Sequence, residues 1–321
     1  MANPQTVWTP QSAATGASPR IGDQFIGMGQ QVLCLRRPFL EVSVLMALMY
    51  SVTIVGWIPF AFWLQWTSPK IPTEFGAPNP WFEALFNVLL YAAPIVCFGP
   101  FLALNLRRLK MSHIYFNRHT QRVYAKEGHH LYVADWHGVQ ATPNSFVDAS
   151  NVGAVTRFRL EMLLPSVHPL PPHRFWQKRL PPGMLWFRIM SNAQTDPRIE
   201  YVAQVWEYIR VFMAHGPEGL PIPAEPNWWM LPLHKVVLTP LEAWRHYVPW
   251  RTGEAGEHQG KKSWLLPFWA VLFPLTMSVS LCWWVVCCIF GICPSAPPPE
   301  ALEGETRPLV TVEMTCKGIR P

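Results

Sequence analysis

Charge is what this 321-residue chain most lacks. Only 14% of it is Asp, Glu, Lys or Arg, and three long stretches hold none of these and no His: Val42 to Trp66, Ala84 to Leu106 and Trp264 to Cys293. They run 25, 23 and 30 residues. A hydrocarbon layer about 30 Å thick is crossed by roughly 20 residues of helix. A core helix of a water-soluble domain seldom goes so long without a charge, so the absence predicts an integral membrane protein. It also weighs against carriers and pumps, which place ionisable groups inside the membrane to bind or couple their substrates.

Catalytic signatures are missing too. There is no GxGxxG or GxxxxGK[ST] phosphate loop, no His-Glu-x-x-His pair and no GxSxG elbow. The densest polar cluster is His129, His130, Asp135 and His137. If residues 131–137 form a strand, Asp135 and His137 share a face, and a metal site is conceivable. The plainer reading is that both cap or solvate a strand end beside a buried Trp136. His113, His119 and Lys126 read as solvated. No cofactor or metal is expected, and the chain is read as a non-enzyme.

Nor do the seven cysteines make a disulfide framework or a metal site. Cys282, Cys287, Cys288 and Cys293 fall in the third apolar run without CxxC spacing or a nearby His. They read as small polarizable helix residues. Cys34, Cys97 and Cys316 are isolated. No short apolar stretch with a cleavage site opens the chain, so no secretory leader is expected. Residues 1–40 are taken as a flexible, poorly ordered arm.

What charge there is lies beside the apolar runs. Arg36 and Arg37 precede the first, Arg107, Arg108 and Lys110 follow the second, and Lys261 and Lys262 precede the third. The loop at 67–83 has Lys70 against Glu74 and Glu83. By the positive-inside rule the N-terminus and residues 107–263 are cytoplasmic. The net charge of +6 therefore reads as membrane flanks, with membrane lipids as partners and no nucleic acid. The abundant Trp fits interfacial positions.

A transmembrane hairpin is thus expected over 41–106, with spans at about 42–66 and 84–106. Residues 107–218 read as a cytoplasmic α+β domain. Strand signals surround Asn117–Gln121, recur at Leu131–Trp136, alternate over 154–164 and end at Met184–Met190. Between the last two lies a Pro-rich loop, 165–183. Asp196 and Pro197 are placed to start a helix whose apolar residues Ile199, Val202, Val205, Trp206, Ile209, Phe212 and Met213 form one stripe, stopped by Gly216 and Pro217. A small antiparallel sheet capped by that helix is the economical architecture, pleckstrin-homology-like by analogy.

Residues 219–263 form a Pro/Trp-rich interfacial linker, with a capping box at Thr239–Glu242 starting a short helix. The run 264–293 is long for one crossing. The favoured reading is one tilted helix that leaves the tail 294–321 outside; the other is a tight hairpin that returns it. The exposed Pro-rich loop offers Arg174, Phe175 and Trp176 as a partner-binding patch, an aromatic beside a cation. Arg174, Lys178 and Arg179 could instead meet anionic head groups.

The order of these features carries a resemblance. Two N-terminal spans are followed by Ile114-Tyr115-Phe116-Asn117-Arg118 and Arg122-Val123-Tyr124, then Ala134-Asp135-Trp136. Trp206-Glu207-Tyr208-Ile209-Arg210-Val211-Phe212-Met213 then runs into Gly216-Pro217-Glu218, and a late apolar run completes the series. Over roughly 35–295 the chain resembles a bacterial inner-membrane family, of unknown function, in proteobacteria with type VI secretion systems. The resemblance implies an immunity protein against a type VI secreted antibacterial effector, binding that protein partner. The alternative it implies is a structural or accessory component of a secretion apparatus. It defines no catalytic residues. Oligomeric state is not legible.

Overall fold

The computed structural model describes residues 7–22, 24–36, 40–67, 80–127, 130–150, 153–168, 183–190, 199–221, 236–252, 263–292, 296–311, 314 and 319. The described chain is α+β. Two short strands, β1 (Phe25–Met28) and β2 (Val32–Leu35), precede the helices α1 (Leu40–Thr67) and α2 (Pro80–Leu109). Six strands follow: β3 (Ile114–Asn117), β4 (Arg122–Glu127), β5 (His130–Asp135), β6 (Gln140–Ser150), β7 (Gly153–Pro165) and β8 (Met184–Met190). Then come α3 (Ile199–His215), α4 (Pro240–Tyr247), α5 (Leu266–Phe290) and the two-residue strand β9 (Val310–Thr311).

Three helices, α1, α2 and α5, are long and apolar enough to cross a membrane. The hairpin α1–α2 carries Pro59, Pro94 and Pro100 within its helices. A proline has no N–H, so Pro94 leaves the carbonyl of Leu90, four residues back, without its helical donor. The indole of Trp57 on α1 fills the gap, its Nε1–H donating to Leu90 O at 2.8 Å. Nearer the connecting loop, Gln65 donates to Asn87 Oδ1 at 3.0 Å and Tyr91 OH donates to Gln65 Oε1 at 2.9 Å. Both bonds join polar side chains of one helix to those of the other.

The strands build two antiparallel sheets. One has six strands in the order β5-β4-β3-β2-β1-β9; the other has three, β6-β7-β8. Helix α3 packs between them. Its stripe Val202, Val205, Trp206, Ile209, Phe212 and Met213 is buried, and each such side chain contributes about 1.5–3 kcal/mol by leaving water. Trp206 stacks on Trp8 at 6.5 Å between centroids and lies 5.5 Å from Trp136, which meets Phe116 edge-on. At the helix C-terminus Gly216 takes φ +90°, the left-handed turn that glycine adopts without strain. A Cβ there would also meet the guanidinium of Arg118.

The arm expected to be flexible is part of this domain. Residues 32–35 alternate between two cores: Leu33 and Leu35 join the one around α3, while Val32 and Cys34 face the opposite side of the sheet. Both faces of the strand are covered, so its sequence is apolar throughout instead of alternating. Before β1, the chain runs along α3. Thr15 N donates to Glu207 Oε1 at 2.6 Å, Arg20 N to Gln204 O at 3.3 Å, and Tyr201 OH to Gln24 Oε1 at 2.9 Å. The unpaired arm is corrected to a docked one because α3 and β3 offer it apolar and hydrogen-bonding partners.

For the run 264–293 the single helix of the favoured reading is what the described residues form, while the hairpin alternative and the separate tail need correction. Among its described residues there is a single unbroken helix, α5, and no hairpin turn. Nor does the tail lie across the helices from the two sheets: Val310 and Thr311 pair with Met28 and Gly27 of β1. The turn at Pro299–Leu302 covers the outer face of the six-stranded sheet, with Ala301 fully buried against Val32, Cys34, Tyr115, Tyr124 and Val133. Glu305 accepts from Gln31 N at 2.8 Å in the β1–β2 turn, where Gly29 leaves room for the carboxylate.

Candidate interaction surface

The patch Arg174, Phe175 and Trp176 lies outside the described residues, as do Lys178 and Arg179. The feet of its loop are described and firmly held. Strands β7 and β8 pair up to Pro165 opposite Met184, and Ser166 N donates to Gly183 O at 2.8 Å. One residue further, Val167 N donates to Val133 O at 2.8 Å, tying the foot to β5 of the other sheet. The Pro165 ring sits where a Cβ of residue 138 would fall, so glycine is needed at Gly138.

Beside those feet runs the edge of the smaller sheet. β8 is its last strand, and among the described residues no strand pairs with its outer side. Leu185 and Ile189 point into the core, while Trp186 is 39% exposed and Val167 is 40% exposed. An open edge strand presents a row of backbone donors and acceptors that another chain can extend. An edge here is not legible from the residues alone, because β6, with Pro143 and a polar composition, does not read as a strand. Only its register against β7, from Gln140↔Leu163 to Ser150↔Gly153, reveals it.

The His/Asp cluster does not come together. His130 starts β5 and Asp135 ends it, about 17 Å apart at the usual rise of a strand. Asp135 Oδ1 accepts from the backbone N–H of His137 at 3.2 Å, closing the turn after the strand. Trp136 beside them is buried, its N–H bonded to Gln121 O at 3.0 Å. His129 is outside the described residues. Among the described residues no three His, Cys, Asp or Glu converge on a point.

Buried ionisable groups serve packing. Glu207 is gripped by Arg210 through Nε at 2.8 Å and Nη2 at 2.6 Å, and its other oxygen holds Thr15. Glu161 pairs with Arg159 at 2.6 Å and accepts from Asn144 at 3.0 Å. Burial pushes the Cys34 thiol well above its ordinary range, outweighing a hydrogen bond from Tyr115. Such a thiol is a hydrophobe and not a nucleophile. Burial likewise raises Tyr208, whose hydroxyl meets Met28 Sδ at 3.8 Å.

The link from this domain to the apolar hairpin is short. Helix α2 ends at Leu109 and β3 begins at Ile114. Between them Ser112 exchanges two hydrogen bonds with Lys126, N–H to carbonyl at 2.7 Å and Lys126 N–H to the hydroxyl at 2.7 Å. Arg107 and Arg108 occupy the last turn of α2, where cations favour the negative end of the helix dipole. They are exposed, as is Lys110.

A protein-family model matches residues 91–307, and its family is described as one of unknown function, DUF6708. The match takes in most of α2, strands β3–β8, helices α3–α5 and the tail turn, more than half of the chain, and the chain belongs to that family. No curated protein matches, and no solved structure matches.

Proposed function

For this member of a family of unknown function, we propose a non-enzymatic, membrane-anchored protein that binds a protein partner. The observation that carries the reading is the junction just described. A two-sheet domain sits four residues from the end of an apolar helical hairpin, with Ser112 and Lys126 fastening the joint. A domain so attached presents the β8 edge and the feet of the Pro-rich loop at a fixed place relative to the bilayer, with membrane lipids around α1 and α2; Arg174, Phe175 and Trp176 on that loop are the proposed contact residues. Two antiparallel sheets closed by α3 support the pleckstrin-homology-like analogy, a fold used for binding.

The finer reading is an immunity protein against a type VI secreted antibacterial effector, seated in a bacterial inner membrane with the N-terminus and residues 107–263 in the cytoplasm. Basic residues at the α2 end support that orientation, and the resemblance of the ordered motifs supports the immunity role. A protein held at the inner face of the membrane meets a toxin as it inserts or emerges.

The test is neutralisation. Susceptible bacteria expressing this protein are challenged with the toxins encoded beside its gene. Protection against one toxin, lost when Arg174, Phe175 and Trp176 are all changed to Ala while the protein remains in the membrane, is the expected result. Survival unchanged against every toxin would defeat the immunity reading. Loss of secretion on deletion of the gene, with toxin sensitivity unaltered, would identify an accessory component of the secretion apparatus.

A further inference from the structure

The ends of α5 are both tied to the two-sheet domain. Four residues past its C-terminal Gly291–Ile292, the described chain resumes at 296 and packs on the six-stranded sheet. Asn117 donates to the carbonyls of Ala301 and Glu303, and β9 pairs with β1. The other end is tied through α4. Val236 is buried at the foot of the hairpin with Val44, Ala47, Leu106 and Leu109, and its carbonyl accepts from Trp283 Nε1 at 2.9 Å. From there α4, opened by the Thr239–Glu242 capping box, packs against α5 with Ala243 buried.

Helix α4 sets the depth. It carries Glu242, Arg245 and His246 within eight residues, and Arg251 follows. Charges this dense do not enter hydrocarbon, so α4 lies in the head-group layer. Helix α5 packs against α4, which brings the packed part of it to that level. The buried contact of α5 with the hairpin agrees, since it falls at the C-terminal end, at Trp283, Cys287 and Ile292, against the sheet-side ends of α1 and α2. One stripe of α5 is half-buried or buried: Trp269, Phe273, Thr276, Ser280, Trp283 and Cys287. The opposite stripe, Val271, Leu275, Ser278, Cys282, Val285 and Ile289, is exposed, with Val271 at 77% and Ile289 at 72%.

The geometry points to α5 as an in-plane helix that does not cross the bilayer. It rests in the leaflet on the side of the two-sheet domain, with the Val271–Ile289 stripe against lipid acyl chains and with α4 and Val236 packed on the helix from the protein side. Arg107, Arg108, Arg245 and Arg251 line the level at which anionic head groups would sit. The chain then crosses the membrane twice and touches it a third time along about 37 Å of helix, at 1.5 Å per residue. The inference rests on α1 and α2 as crossing helices. It is independent of which partner the domain binds.

The full chain tests it in two ways. A split-fluorescent-protein tag is placed before Met1 in one variant and after Pro321 in another, with the complementing fragment in the cytosol. The two variants are expected to give the same signal; fluorescence from one and not the other means an odd number of crossings and overturns the inference. In a chain whose native cysteines are replaced by Ser, spin labels are carried by Val271→Cys, Ser278→Cys or Ile289→Cys in phospholipid vesicles. Equal immersion depth at the three positions is expected. A profile deepest at 278 and shallow at both ends would mean a crossing helix, with the same consequence.

Discussion

Asn117 Nδ2 donates to the carbonyl of Glu303 at 2.8 Å, joining residues 186 apart in the chain. The same amide donates to Ala301 O at 3.1 Å, and its oxygen accepts from Thr120 N at 3.0 Å. Asn117 is fully buried, so every bond it makes replaces one that water would have supplied. One side chain thus shapes the β3–β4 turn and fastens the tail over the sheet.

Asn117→Ala is expected to loosen that tail. It strands the buried carbonyl of Ala301, at a cost of about 1–3 kcal/mol. Cys34, beneath Ala301 and raised by burial, provides the readout. In the intact protein it should resist iodoacetamide at neutral pH. In the variant it should be alkylated at a measurable rate, followed peptide by peptide in a mass spectrometer. Equal protection in both proteins would show that Glu305 and β9 hold the tail without Asn117.

The Trp57–Leu90 bond should depend on Pro94. Pro94→Ala restores the helical donor to Leu90 and makes the indole bond redundant. Trp57→Phe alone is expected to destabilise the hairpin by about 1 kcal/mol through the orphaned carbonyl. In the Pro94→Ala background the same change should cost measurably less. A double-mutant cycle in detergent, followed by denaturant unfolding, gives the coupling. Additive effects would mean that the indole bond does not stand in for the donor that Pro94 lacks.

Alkali should weaken the α4 region. Burial raises Tyr247 to about 12, against roughly 10 for an unfolded tyrosine. The folded state holds the proton longer, so the stabilisation is full below about pH 10 and falls by about 1.4 kcal/mol per pH unit until pH 12. Unfolding of α4, followed by hydrogen exchange of residues 240–247, should show this slope, and Tyr247→Phe should remove it. An unchanged slope in the variant would assign it to another group.

Much of the framework was legible because its physical cause is local. The stripe from Ile199 to Met213 repeats at helical spacing, and Thr239 with Glu242 closes its capping box by contacts three residues apart. Runs without charge announce α1, α2 and α5. What could not be read depends on distant partners. The segments FIGM and VLCL become strands because Ile114–Asn117 and Val310–Thr311 flank them, and nothing near residue 30 reveals residue 310. β6 hides behind Pro143 and polar residues until β7 lies beside it. Of the candidate surface, the loop was visible from its prolines, while the β8 edge follows from sheet order alone.

The sheet that seats β1 between β2 and β9 has a consequence for biosynthesis. Its second strand from the edge leaves the ribosome early, among the first thirty-five residues, yet its partner is made only after residue 309. Throughout translation the nascent chain carries that strand with one side open. A message cut short before Val310 would yield a product with that strand still bare, open to pairing with a neighbour and to capture by chaperones or proteases.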